Sequence, residues 1–138
     1  FFEHEIIREN IEFNSLIPEL SVSNIEISKK FYIDLGFKVR YERKEDKFCF
    51  LQLEENQIMI EEINNNWNVG EMKYPFGNGI NISMTVSDID SFYESIISKK
   101  IVLFRKIKTS KYRVDDIIYE DKEFLLQDPD GYLLRFNN

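Results

Sequence analysis

The sequence predicts an α+β protein built from two βαβββ modules, and three observations lead there. Val22-Ser23-Asn24-Ile25, followed by Phe31-Tyr32, returns 64 residues later as Val86-Ser87-Asp88-Ile89, followed by Phe92-Tyr93. Residues 50–61 lie over residues 124–135, 74 positions on. Each copy passes from an alternating strand through a capped amphipathic helix into three further short runs of strand character. A repeated module places its binding surface between the copies and lets equivalent positions be compared directly.

In the first module residues 17–22 alternate as a strand. Ser23-Asn24-Ile25-Glu26 has capping-box spacing, a hydroxyl followed three residues later by a carboxylate. The helix behind it sets Ile27, Phe31 and Leu35 on one stripe, and Gly36 supplies a left-handed stop. Strands follow over 37–42, 48–53 and 57–63, with Glu54-Glu55-Asn56 as the turn between the last two. Residues 64–79 are an Asn-rich connection punctuated by Gly70, Pro75, Gly77 and Gly79.

The second module opens with a strand over 80–86. Ser87-Asp88-Ile89-Asp90 caps a helix whose inner side carries Phe92, Tyr93, Ile96 and Ile97. A strand is expected over 101–106 and a polar loop over 108–116, while 117–120 carries no clear pattern. A hairpin of 123–127 and 132–136 closes around Asp128-Pro129-Asp130-Gly131. There Pro fixes φ, Asp bonds the backbone and Gly accepts positive φ. The expected organisation is an arm or helix over 1–15 and one domain over 16–138, with modules at 16–66 and 76–138 joined by 67–75.

Composition excludes several functions. A net charge of -7 argues against a nucleic-acid binder, which needs a basic face to neutralise phosphates. The lysines at 99, 100, 106, 108 and 111 are too sparse to reverse that. The balance fits an ordinary solvated surface, or a cleft that attracts a cation. No apolar run approaches the roughly 18 residues of a membrane span. Residues 1–14 carry acids and amphipathic spacing unlike a signal peptide. The single cysteine, Cys49, excludes an internal disulfide and fits a reducing cytoplasm, the expected location.

Pro18-Glu19-Leu20-Ser21-Val22, Phe31-Tyr32 with Leu35-Gly36-Phe37, and Glu123-Phe124-Leu125-Leu126-Gln127 running into Asp128-Pro129-Asp130-Gly131-Tyr132 resemble the vicinal oxygen chelate superfamily. This is the glyoxalase I, bleomycin-resistance and extradiol-dioxygenase group, and the resemblance spans residues 16–136. Pro75-Phe76-Gly77, Gly79-Ile80-Asn81 and Leu133-Leu134-Arg135-Phe136 look most like the bleomycin-resistance branch. The resemblance implies modules whose sheets curl into an open, U-shaped cleft. It also implies a homodimer, often with cleft walls from both subunits or from exchanged elements.

Enzymes of the group hold a metal with one residue from the first and one from the last strand of each module. The resemblance maps these positions onto Ile17, Glu61, Asn81 and Arg135. Isoleucine cannot ligate, arginine is a permanent cation, asparagine is a poor ligand, and one carboxylate falls short of the usual three protein ligands. The only histidine, His4, lies outside both modules. No metal or other cofactor is therefore expected, and Glu61 and Arg135 are expected to pair where the metal would sit, unless each faces solvent alone.

Trp67, Tyr74 and Phe76 lie in the connection. Trp67 is expected to stack on a flat ligand and Phe76 to pack the modules together. Phe48, Phe50 and Met59 lie on strands, where one alternate set packs the core. Tyr112 and Tyr119 flank the polar loop and are expected to close over a ligand. Cys49 has no base near it in sequence, so it is not expected to be a nucleophile. The pairs Glu54-Glu55, Glu61-Glu62 and Asp115-Asp116 are not natural dyads, because adjacent strand residues point to opposite faces.

The expected function is metal-free binding. A homodimer would sequester a cationic aromatic small molecule, bleomycin-like or otherwise, using Phe48, Phe50, Glu61, Trp67, Asn81, Tyr112, Tyr119 and Arg135, with no nucleic acid or membrane as partner. The alternatives are a metal-dependent glyoxalase-like lyase or dioxygenase, or a binder of another aromatic metabolite.

Overall fold

The computed structural model describes residues 10–138. The first module comprises β1 (Glu19–Val22), α1 (Ile25–Leu35), β2 (Lys38–Arg43), β3 (Phe48–Leu53) and β4 (Asn56–Glu62). The second comprises β5 (Asn81–Thr85), α2 (Ile89–Ser98), β6 (Arg105–Val114), β7 (Ile117–Gln127) and β8 (Leu133–Asn137). Sheet A has the order β1-β4-β3-β2 and sheet B the order β5-β8-β7-β6. In each, the first pair is parallel and the rest antiparallel. The fold is thus α+β with two βαβββ units. Of the arm or helix expected over 1–15, residues 1–9 and with them His4 lie outside the described residues; residues 10–15 form no helix.

Both helices start on side-chain caps, because the first backbone N–H groups of a helix have no partner within it. Asn24 Oδ1 accepts from the N–H groups of Glu26 and Ile27, at 3.0 and 3.1 Å. The cap is therefore Asn24, one residue later than the capping-box spacing suggests. Gly36, at φ +121°, ends the helix as expected. The buried stripe is Ile25, Ser28, Tyr32 and Leu35, whereas Ile27 is exposed. Tyr32 wins the inner position because its hydroxyl finds a partner, described below. In α2, Asp88 caps Ser91 N–H at 3.1 Å, Ile89 and Ile96 are buried, and Ile97 faces outward.

The largest departure from the sequence reading is in the second module. The strand expected at 101–106 starts only at Arg105, and the polar loop expected at 108–116 is most of β6. β6 and β7 form one long hairpin, turning at Asp115-Asp116. Its outer half is exposed on both faces, so neither face needs an apolar set and no alternation appears. Cross-strand pairs hold it instead, among them Tyr112 opposite Tyr119 and Lys111 opposite Glu120.

One apolar cluster joins the modules. Val22, Tyr32, Leu51 and Ile60 belong to it together with Met84, Ile96, Phe124 and Phe136. All eight are nearly or wholly inaccessible to solvent. Side chains at alternate positions project from the opposite face of each sheet.

The seam carries a matched pair of polar clasps. Ser23 donates from its N–H and hydroxyl to the Asp130 carboxylate. Ser87, its repeat equivalent, donates from the same two groups to Glu54, at 2.9 and 3.3 Å. Tyr132 donates its hydroxyl to the Ser21 carbonyl at 2.8 Å, and Asn56 Nδ2 donates to the equivalent Thr85 carbonyl at 2.9 Å. Each module thus fastens the other with its last hairpin turn.

One further contact has no counterpart. Tyr32 donates its hydroxyl to Asp128 Oδ2 at 2.7 Å, while Asp128 Oδ1 accepts from the N–H groups of Asp130 and Tyr132. Burial pushes the Asp128 carboxyl up to about 6, against the pull of these three hydrogen bonds. Burial and the facing carboxylate raise the Tyr32 hydroxyl well above its usual value.

Strand pairing also corrects the 74-residue superposition. Ser21 is equivalent to Thr85; Ser21 pairs with Glu61, and Thr85 with Asn137. Glu61 therefore corresponds to Asn137, and Arg135 to Met59, which pair with Ser83 and Glu19 respectively in the order Arg135–Ser83, Met59–Glu19. Likewise Phe50, opposite Met59, corresponds to Leu125, opposite Arg135, and not to the core residue Phe124. The superposition is one residue short along β3 and β7 and two short along β4 and β8, because the turn adds one more: four residues separate Gln52 from its partner Gln57, and five separate Gln127 from Leu133. In a strand, one residue of slip exchanges the two faces.

Candidate functional site

The faces turned away from the core hold the candidate residues. On sheet A this face is aromatic. A bulge between Val39 and Tyr41 sets Tyr41 opposite Phe50, where the rings stack with centroids 5.2 Å apart and planes at 15°. Phe48 lies beside them, 5.8 Å from Tyr41, with the Arg43 guanidinium 4.0 Å above its ring. Glu61 accepts from Trp67 Nε1 at 3.0 Å. Partial burial, and then the charge of Glu61, raise the nearby Glu19 carboxyl, with Arg43 opposing.

Part of that face is covered by the chain itself. Phe13 stands edge-on to Phe50, centroids 5.3 Å apart, and to Tyr41 at 6.5 Å. Asn14 N–H donates to Gln57 Oε1, and Gln57 Nε2 donates to the Glu12 carbonyl, both at 2.8 Å.

On sheet B the corresponding face is polar and open. It floors a hollow of about 590 Å³ lined by Thr85, Tyr112, Asp121, Glu123, Arg135 and Asn137, among others. Arg135 Nη1 reaches Glu123 Oε1 at 3.5 Å, while Asn137 donates to Ser83 Oγ and accepts from Thr85 Oγ1, both at 2.8 Å. The floor continues along the long hairpin, where Tyr112 and Tyr119 stack with centroids 5.5 Å apart and planes at 19°.

The structure therefore sorts the expected residues into two groups. Phe48, Phe50, Glu61 and Trp67 belong to sheet A and its following connection. Tyr112, Tyr119 and Arg135 belong to the sheet B hollow or its rim. Asn81 lines a separate hollow of about 410 Å³ at the seam, with Leu16, Pro18, Ile80 and Ile82. The expected Glu61–Arg135 pair does not form: each has a nearer partner on its own sheet or connection, Trp67 for one and Glu123 for the other. Phe76 is buried against Tyr132, centroids 5.9 Å apart. Cys49 is buried and its thiol is pushed up to about 11, chiefly by burial.

Sequence reasoning missed Tyr41, Asp121 and Glu123. Tyr41 reaches its face through a bulge that no local pattern announces. Asp121 and Glu123 belong to a strand whose outer half lacks alternation; only the pairing of Ser110 with Asp121 places them.

These residues can be tested against a metal. Ile17 has no donor, and Arg135 is a guanidinium already facing a carboxylate. The corrected register replaces Glu61 by the thioether of Met59, which favours soft metals, and none of the other three mapped positions offers a thiolate or imidazole. Among the described residues no group of three or more His, Cys, Asp or Glu could hold a metal ion. The donor set does not fit one.

The model of the Glyoxalase/Bleomycin resistance protein/Dioxygenase superfamily matches residues 14–136. The chain belongs to that superfamily. Solved members of the same fold include a glyoxalase/bleomycin resistance protein/dioxygenase from Alicyclobacillus acidocaldarius, 21% identical, covering 90% of this chain and 89% of its own, with a TM-score of 0.64. A bleomycin resistance determinant encoded on the transposon Tn5 is 18% identical, covering 91% and 98%, with a TM-score of 0.63. A superfamily member from Vibrio splendidus 12B01 is 32% identical over 86% of this chain and 93% of its own, with a TM-score of 0.40. No curated protein matches. As a superfamily member, this chain keeps the two-module frame, with Ile17, Met59, Asn81 and Arg135 at the positions that the resemblance maps to a metal. No described helix is long and apolar enough to cross a membrane.

Proposed function

We propose that this protein sequesters a cationic aromatic small molecule without chemical change, in the manner of bleomycin-resistance proteins. One arrangement carries the reading: the stacked Tyr112–Tyr119 pair stands beside Asp121 and Glu123 over the open hollow of sheet B. Tyrosine faces accept a flat heterocycle, and carboxylates beside them attract its cationic end. Arg135 neutralises part of Glu123 and leaves Asp121 to face the incoming charge.

The working form in this reading is a cytoplasmic homodimer. Sheet A of a second copy would face sheet B and add Phe48, Trp67 and Glu61 as the opposite wall. Calorimetric titration with metal-free bleomycin tests the proposal. Sub-micromolar binding near one drug per hollow, weakened at least tenfold by Tyr112→Ala and by Asp121→Asn, supports it. Absence of heat and of binding at tens of micromolar ends the resistance role. A dissociation constant that Tyr112→Ala leaves unchanged removes the sheet B hollow as the site.

A further inference from the structure

The aromatic face of sheet A already holds a ligand, which is part of this chain. Phe13 supplies a ring to Tyr41 and Phe50. The primary amide of Gln57 reads the two peptide groups that flank that ring. Its nitrogen donates to the carbonyl before Phe13, and its oxygen accepts the N–H after it, each at 2.8 Å. Gln57 is itself 4% exposed, and its Nε2 is further fixed by Gln52 Oε1 at 3.1 Å. The amide is thus a preorganised reader of one residue's backbone, set beside a ring acceptor.

The occupant is held lightly by comparison. Phe13 is 57% exposed, and residues 10–14 add no strand to the sheet. Besides the Gln57 contacts, Asn14 Nδ2 donates to the Glu55 carbonyl and Arg40 reaches the Asn10 carbonyl at 3.4 Å. A buried, oriented reader holding a half-exposed segment is the geometry of a site that can exchange what it binds.

We infer that this face of sheet A is a recognition site for one aromatic residue with an amide on each side, and that residues 12–14 are its built-in competitor. The ligand class is a peptide segment or an N-acylated aromatic amino acid amide. Recognition needs the ring, an acyl carbonyl before it and an N–H after it. This inference stands apart from the sheet B hollow, so a protein that ignores bleomycin can still satisfy it.

The probe is N-acetylphenylalanine N-methylamide, which reproduces the ring, the Glu12 carbonyl and the Asn14 N–H. The full chain carrying Phe13→Ala and Asn14→Pro loses the competing ring and the competing donor. Binding is followed by the NMR signals of the Gln57 side-chain amide. The released variant is expected to bind at least about tenfold more tightly than the unaltered chain, with the Gln57 signals moving. The methyl ester analogue, which lacks the second N–H, is expected to bind about threefold to tenfold more weakly than the amide. Equal affinity of both proteins, or an ester as good as the amide, overturns the inference. So does a folded variant whose Gln57 signals stay still at millimolar probe. If the double variant does not fold, Phe13→Ala alone keeps the backbone bonds and must still bind more tightly, by about threefold.

Discussion

The two modules share one topology and differ in what they do with the face turned from the core. Sheet A fills that face with Tyr41, Phe48 and Phe50 and lays Phe13 across it. Sheet B leaves its face open and lines it with Asp121, Glu123, Arg135 and Asn137. The difference lies wholly in side chains that face away from the packed interior. Interior positions such as Leu51 and Leu126, or Ile58 and Leu134, remain apolar in both copies. Packing constrains one face of a repeated sheet and leaves the other free to diverge.

The seam extends this comparison, because its two ends are matched in form and unequal in burial. Asp128 and Asp130 are buried, whereas Glu54 is exposed. The largest effect is expected from Asp128→Ala. It strands the Tyr32 hydroxyl and two backbone N–H groups in the interior and should cost about 3 kcal/mol in urea unfolding at neutral pH. A loss as small as that of a surface variant would mean the seam opens to water.

The same carboxyl gives a pH signature. Its folded value of about 6 lies above the ordinary 3.8, so the folded chain holds the proton between those values and the unfolded chain does not. Its contribution favours folding at acid pH and is lost as pH rises through about 6. Relative to Asp128→Asn, which cannot titrate, the unaltered protein should lose on the order of 3 kcal/mol between pH 4 and pH 7. A flat difference across that range would show that the folded carboxyl titrates normally.

Smaller effects separate the clasps. Asp130→Ala should cost about 1 to 2 kcal/mol and Glu54→Ala about 0.5 kcal/mol, read from paired denaturation curves. Equal losses would show that exposure does not distinguish the two ends. Smallest of all, Phe13→Ala should lower stability by under about 1 kcal/mol while brightening or shifting probes that stack on Tyr41.

Much of the frame was legible in the sequence, for identifiable reasons. The strand at 48–53, the turn after it and the Gly36 stop follow from alternation and backbone preference, which are local properties. The helix phase was not, because the hydroxyl that lets Tyr32 displace Phe31 from the interior is satisfied by Asp128, almost a hundred residues away. The hairpin of β6 and β7 was missed because exposure on both faces removes the alternation that announces a strand. The candidate site suffered most. A repeat alignment carried through turns of unequal length loses register, by two residues in the last strand, so Glu61 and Arg135 looked equivalent where pairing sets Met59 against Arg135. The Gln57 reader was invisible for a similar reason: its partners come from residues 12 and 14.

The matched clasps also bear on how such a chain assembles. A contact made once from Ser23 to the second half and once from Ser87 to the first is the pattern of a two-fold axis. Between separate polypeptides, that pattern would define a self-complementary interface between two identical subunits. Covalent joining makes the encounter intramolecular, at an effective concentration on the order of millimolar. A single chain need not serve both sides of a symmetric pair, so one end can be a buried carboxylate with a tyrosine while the other is a surface contact. A chain cut within residues 64–79 would lose that advantage, and its two fragments would have to find one another by mass action.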